Sequence, residues 1–195
     1  MEEIQVIKRD IRNTVKAAVA NMSSDETKEK TAAIETRLFE FANFLEAGIV
    51  MMYIHMDGEV NTSSMLKKCY DFNKMVVLPG FNMDKLKVFL FKVENLSTDL
   101  SMGPRGILEP NQQRCKKVPI DCIDIAVIPS IALDEKGGRI GTGEGLYDRL
   151  IPKLPMTTRK VTLAMEAQIV PQVPMESHDK HVDIIITDKR IIYKI

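Results

Sequence analysis

The chain has 195 residues, 45% of them hydrophobic and 28% charged, which suits one α/β domain with an ordinary core. Its 27 basic and 27 acidic residues cancel to a formal net charge of +0, which excludes the basic excess of a general nucleic-acid or membrane-surface binder. Cys69, Cys115 and Cys122 are odd in number and lack metal-ligand spacing, so they read as reduced thiols of a cytoplasmic protein. No apolar run is long enough to span a membrane, and no signal-peptide pattern opens the sequence.

Residues 2–21 predict an amphipathic helix, with Ile4, Ile7, Ile11, Val15, Ala18 and Val19 on its apolar stripe. Lys8, Arg9, Arg12 and Lys16 lie beside that stripe, ordinarily as a solvated basic face. A second helix starts at Ser23, where Ser23 and Glu26 fit a capping box. Its core-facing residues are Ile34, Leu38, Phe41 and Leu45, and Gly48 is the expected C-terminal cap.

The run 49–54 predicts a buried strand ending in the loop HMDGEVNT, 55–62. Ligands of open α/β sheets bind at such carboxyl ends. His55 at this mouth reads as a polar strand-end residue, and Asn61 or Thr62 as a cap for a helix near 62–73. Residues 75–79 form a further strand that Pro79-Gly80 should break, and 86–93 another. Punctuation by Gly103, Pro104 and Gly106 makes 95–110 a loop, in which Arg105 can bind an anion and Glu109 can anchor the loop or meet substrate.

Residues 123–133 predict a central strand that delivers GGRIGTGEGLYDR, 137–149. Gly141, Gly143 and Gly145 alternate, and such a run can turn successive amides into an anion nest. A helix from Leu146 to Leu154 would add its N-terminal charge. Arg139 and Arg149 can fork onto phosphate oxygens, and Asp148 can hold Mg2+. The spacing is neither that of the P-loop nor that of the dinucleotide fingerprint. Strands at 161–165 and 182–187 follow, with 190–193 pairing at an edge. His178 and His181 flank Asp179, but their loose spacing argues against zinc. Strands alternating with helices indicate a mainly parallel sheet covered by helices.

GGRIGTGEGLYDR resembles the signature G-x-R-L-G-x-G-x-G-Y-Y-D-R of the 5-formyltetrahydrofolate cyclo-ligase family, the methenyltetrahydrofolate synthetases. KRDIR (8–12), DGEVNT (57–62), GILEP (106–110) and HDKHVDIIIT (178–187) match further landmarks in order. The resemblance implies a single three-layer α/β domain over residues 1–195, akin to the NagB/RpiA/CoA-transferase-like fold. It implies ATP-dependent cyclisation of 5-formyltetrahydrofolate to 5,10-methenyltetrahydrofolate through a phosphorylated formyl intermediate, releasing ADP and phosphate. Lys8, Arg12, Arg139 and the loop Gly141, Thr142, Gly143, Glu144, Gly145, Leu146 and Tyr147 would bind the nucleotide. Arg139 and Tyr147 would be catalytic, Glu59 and Tyr147 would meet the folate, and Asp148 and Asp179 would hold Mg2+. Phe81 or Met83 would face the pterin if not simply packed in the core. The expected partner is the folate substrate alone, with the chain a monomer.

Two positions depart from the pattern. Leu146 replaces the first of two aromatics, and Glu144 stands where small or basic residues are usual. A carboxylate in a phosphate nest is unfavourable unless it points outward or reaches the metal. These residues favour the alternative of a folate- or nucleotide-binding homologue without turnover. A sugar-phosphate isomerase would need neither the Lys8/Arg12 pair nor the magnesium acids.

Overall fold

In chain order the described residues (2–82, 87–103 and 106–194 of this computed structural model) open with α1 (Glu2–Ala20), α2 (Ser24–Glu40), α3 (Ala42–Glu46), β1 (Ile49–Met51), α4 (Ser63–Asp71), β2 (Met75–Asn82) and β3 (Lys87–Lys92). They continue with β4 (Leu100–Met102), β5 (Leu108–Pro110), β6 (Lys117–Val118), β7 (Ile125–Val127), β8 (Ala132–Leu133) and β9 (Arg139–Ile140). Last come α5 (Leu146–Leu150), β10 (Arg159–Ala164), β11 (Ile184–Thr187) and β12 (Ile191–Tyr193).

Eight of these strands form one sheet in the order β12-β11-β10-β7-β1-β2-β3-β6. The central five, β11 to β2, are parallel, and both edges are antiparallel. The central strands read as unbroken apolar runs because both their faces are covered. Val50, Ile125, Val127, Val161 and Leu163 pack on one side against Ile34 and Leu38 of α2, Phe44 of α3 and Met65 of α4. Met51, Ala126, Ile128, Ala164 and Ile185 pack on the other against Leu150, Ile151 and Leu154. The sheet thus lies between two helical layers in a single α/β domain, as expected.

Ser23 caps α2, its hydroxyl accepting from the Glu26 amide at 3.1 Å, which is one half of the predicted capping box. The stripe then departs from expectation. The chain breaks helical geometry at Phe41 (φ −71°, ψ 120°) and restarts as α3, which turns Phe44 inward and leaves Leu45 47% exposed. Gly48 is no C-terminal cap; its amide and that of Ile49 donate to Asp124 Oδ2 at 2.9 and 2.8 Å, fixing the start of β1. On α1, Ile7 and Ala18 are exposed and Lys8 is buried. The helix is split along its length: Val15 sits on Ile131, Ala132, Ile140 and Val173, and the N-terminal half faces a polar cleft.

Strand β2 runs through Pro79-Gly80 instead of breaking there. Val76 O accepts from Val93 N and Val77 O from Met52 N, so alternation turns Pro79 N to the β1 side. β1 has already ended there, and no ladder bond is lost. Within 95–110, β4 pairs antiparallel with β5, so these residues are not a plain loop. Met83 and Arg105 lie outside the described residues.

The site follows from one pairing. β1 and β7 are parallel neighbours, so their carboxyl ends emerge side by side. The 55–62 loop leaves one, and the β8–β9 hairpin with its glycine run leaves the other. No described helix is long and apolar enough to cross a membrane.

Phe44 is fully buried and meets Phe39 edge-on with 5.0 Å between centroids. Phe44→Ala is expected to lower unfolding stability by about 3–5 kcal/mol, read from urea denaturation.

Candidate functional site

Between the two loops lies a solvent-open cleft with a cavity volume of about 110 Å3. Lys8, Arg12, Glu59, Arg139, Gly141, Thr142, Gly143, Glu144, Gly145, Leu146, Tyr147, Asp148 and Asp179 all line it. Sequence positions up to 171 residues apart are thus gathered into one site.

Arg139, on β9, has a side chain 3% exposed and pairs through Nη2 with Asp148 Oδ1 at 2.8 Å. Burial pulls its pKa below the ordinary arginine value, opposed by Asp148, Tyr147 and Asp179. A guanidinium stays charged nonetheless. Its buried Nε finds no hydrogen-bond partner among the described residues. Such an orphan N–H typically costs about 1–3 kcal/mol, and an anionic ligand would satisfy it.

Lys8 and Arg12 lie one turn apart and face the cleft together. Lys8 bonds Glu176 Oε2 at 2.9 Å and also Asp179 Oδ2. Burial acts to lower the Lys8 pKa, but the hydrogen bonds from this ammonium to the two acids raise it overall. Arg12 Nε donates to Gly141 O at 2.8 Å, tying α1 to the glycine loop, and burial lowers its pKa.

The loop itself turns at Gly143 (φ 104°) and Gly145 (φ 64°), a backbone region closed to most L-residues. α5 is only five residues long and passes into a 3-10 turn at Ile151–Lys153. The expected nine-residue helix and its dipole are therefore reduced to a single turn. Leu146 is 3% exposed, with its bulk in the core. Glu144 is exposed, and its Oε2 accepts from the Thr142 hydroxyl at 3.4 Å. Solvent there lowers the cost of its charge. Arg149 is exposed on α5, not lining the cleft.

On the opposite wall Glu59 Oε2 accepts from the Met56 amide at 2.8 Å. Tyr53 and Thr62 brace this loop from below, through Tyr53 Oη to Val60 O at 3.1 Å and Thr62 Oγ1 to Tyr53 O at 2.6 Å. Ile54 and Met56 line the cleft; His55 between them does not, and burial lowers its pKa. A smaller recess adjoins, shared by Ile54, Ile107 and Tyr147 and bounded by Phe81 and buried Glu109. Phe81 meets Tyr147 edge-on at 6.0 Å between centroids.

The donor chemistry suits a hard cation. Asp148 uses Oδ1 for Arg139 and the Lys180 amide, and Asp179 uses Oδ2 for Lys8 and the Glu176 amide. Asp148 Oδ2 is not used by these bonds, and Asp179 Oδ1 lies 3.5 Å from His178 Nε2; Mg2+ is held by one or two carboxylates plus phosphate oxygens. Glu176, His178 and Asp179 also place one donor atom each within 4.8 Å of the others, whereas His181 stands outside this group. Glu176, Gln168 and Gln5, which lines the cleft and donates through Nε2 to Glu176 Oε2, were not singled out in the sequence. Only Glu176, three residues before Asp179, carried a local signal.

Two outcomes are expected. Asp148→Ala should cost about 3–5 kcal/mol by stranding the Arg139 charge, and Arg139→Met/Asp148→Leu should recover most of it in a double-mutant cycle. Burial acts to raise the Asp179 pKa, but the bonds from Lys8 and the Glu176 amide hold it below the ordinary carboxylate value. Its stabilisation is therefore complete above about pH 3.9 and lost as pH falls through the depressed value. That of Lys8 is complete below about pH 10.4 and lost as pH rises through the raised value. Lys8→Met should abolish the alkaline loss and flatten the acid one, in urea unfolding across pH.

The profile of the 5-formyltetrahydrofolate cyclo-ligase family matches residues 4–188. A probable 5-formyltetrahydrofolate cyclo-ligase from Caenorhabditis elegans is 26% identical, with 98% of each chain covered. The 5-formyltetrahydrofolate cyclo-ligase of Escherichia coli K12 is 25% identical over 87% of this chain and 94% of its own. Among solved structures, a 5,10-methenyltetrahydrofolate synthetase from Aquifex aeolicus superimposes with a TM-score of 0.84 at 26% identity, covering 96% of this chain and 93% of that one. One from Mycoplasma pneumoniae shares the fold at a TM-score of 0.74 and 18% identity, over 93% of this chain and 98% of that one. With a match over nearly its whole length, the chain belongs to the 5-formyltetrahydrofolate cyclo-ligase family.

Proposed function

We propose that this protein is an ATP-dependent ligase that cyclises 5-formyltetrahydrofolate to 5,10-methenyltetrahydrofolate, releasing ADP and phosphate. The observation that carries the reading is a buried, charged Arg139 with an orphan Nε, in a cleft that also presents Lys8 and Arg12. Three cations converging on one cavity suit a polyphosphate.

The formyl oxygen is a poor leaving group as it stands. Transfer of the γ-phosphoryl group to it turns it into phosphate, and the neighbouring folate nitrogen then attacks the formyl carbon. The C–O bond breaks, phosphate departs with the former formyl oxygen, and the nitrogen loses its proton. The protein's task is alignment and charge stabilisation. Arg139, Lys8 and Arg12 spread the phosphoryl charge. The loop from Gly141 through Leu146 supplies backbone close to the phosphates. Tyr147 lines the reacting group beside Phe81, and Glu59 orients the pterin by accepting from its amino edge. Asp148 and Asp179 would hold Mg2+, which supplies charge neutralisation on the polyphosphate. The proposal includes the cytoplasmic, monomeric form expected from the sequence.

The binding-only alternative rested on Leu146 and Glu144. Leu146 contributes its bulk to the core, and Glu144 is exposed, so neither removes a charged group from the cleft.

The test mixes protein, 5-formyltetrahydrofolate and Mg2+, with and without ATP, and follows absorbance in the methenyl-folate band. An ATP-dependent rise is expected, falling by about 10²-fold or more in Arg139→Ala. No rise, with folate still bound by calorimetry, would leave only the binding protein.

A further inference from the structure

Gln168 ends the 3-10 turn Glu166–Gln168 after β10 and is 1% exposed. A buried primary amide is costly unless its donors and acceptor are used. Here Oε1 accepts from Met165 N at 2.8 Å. Nε2 donates to Ile131 O at 2.9 Å and Gly58 O at 3.0 Å, with Ser130 O at 3.5 Å. Gly58 immediately precedes Glu59. Ile131 immediately precedes β8, and its own amide donates at 2.8 Å to Ile140 O, where β9 passes into Gly141. One side chain therefore joins the loop carrying Glu59 to the root of the hairpin carrying Arg139 and the glycine run.

The braces from Tyr53, Thr62 and the Met56 amide are internal to the 53–62 segment, so they shape the loop without setting where it stands against the hairpin. The Lys16–Asp57 ion pair reaches the loop from α1, but Asp57 is 95% exposed, and such pairs contribute little. An apolar side chain of the same length would fill the Gln168 site without tying the two loops.

We propose that Gln168 is a positioning residue that fixes the separation of the folate wall from the phosphate wall. This deepens the proposed function and rests on Glu59 facing the folate. Two substrates that exchange a phosphoryl group must meet within a narrow distance, and a misplacement of about 1 Å can cost about 10²-fold in rate.

The variant Gln168→Met keeps the length and removes both the donor to the two loops and the acceptor of the Met165 amide. Hydrogen exchange in the ligand-free protein should speed up by about tenfold at the Met56 and Glu59 amides, the equivalent of one lost buried hydrogen bond, while β10 and β11 hold their protection. By calorimetry the Kd for 5-formyltetrahydrofolate should rise by about tenfold and that for ATP by less than about twofold. A merely structural glutamine would loosen everything together. Uniform acceleration, unchanged loop exchange in a folded variant, or equal weakening of both ligands would overturn the proposal. Should Gln168→Met fail to fold, Gln168→Asn, one methylene shorter with its amide intact, is measured in the same two ways against the same outcomes. Exchange needs no ligand, so a wild-type protein without turnover sinks the function and leaves the clamp separately testable.

Discussion

A guanidinium with 3% of its side chain exposed is the constraint around which this site is arranged. Arg139 cannot shed its charge, and burial in low dielectric makes an isolated charge expensive. Asp148 answers one side of it from α5. That bond spans the glycine run, so the run has to return the chain from β9 to α5 within a few residues. Gly143 and Gly145 allow that return with positive φ. The remaining orphan Nε is the part of the cost that the described residues do not offset.

The sheet makes this arrangement possible. Parallel neighbours put their carboxyl ends at one edge, so two loops more than seventy residues apart in sequence start side by side. A parallel centre must be covered on both faces, and that cover recruits α2 to α4 on one side and the Leu150–Leu154 segment on the other. α1 serves neither layer fully. Its Val15 end docks on the β8–β9 hairpin, while Lys8 and Arg12 close the cleft.

Most of the central strands were legible because the runs 125–128 (IAVI) and 184–186 (III) are apolar at every position, as a doubly buried strand requires. The glycine run declared itself by spacing. The signals that failed were local ones overruled by tertiary context. A continuous stripe through Phe41 and Leu45 implied one helix, but the break at Phe41 shifts the phase and buries Phe44 instead. Pro79 implied a strand end, but its missing N–H falls where β1 has already stopped. Ile7 fitted the α1 stripe on spacing, yet the buried face there is polar and takes Lys8. Gln168 could not be read at all. Its role depends on three carbonyls brought from two distant segments, and no periodicity records that.

In the cleft Lys8 sits against Asp179 and Glu176, and Arg139 against Asp148. Two buried cations are already neutralised by three acids. An incoming polyphosphate alone would compete with those carboxylates, and an incoming divalent cation alone would compete with the lysine and arginine. Were the two to arrive together, the carboxylates of Asp148 and Asp179 would hold the metal and Lys8 and Arg139 would hold the phosphate oxygens. Unpaired like charges in low dielectric carry the largest penalty, and such an exchange would avoid them. On the proposed function, this pairing would favour the metal–nucleotide complex over either component alone.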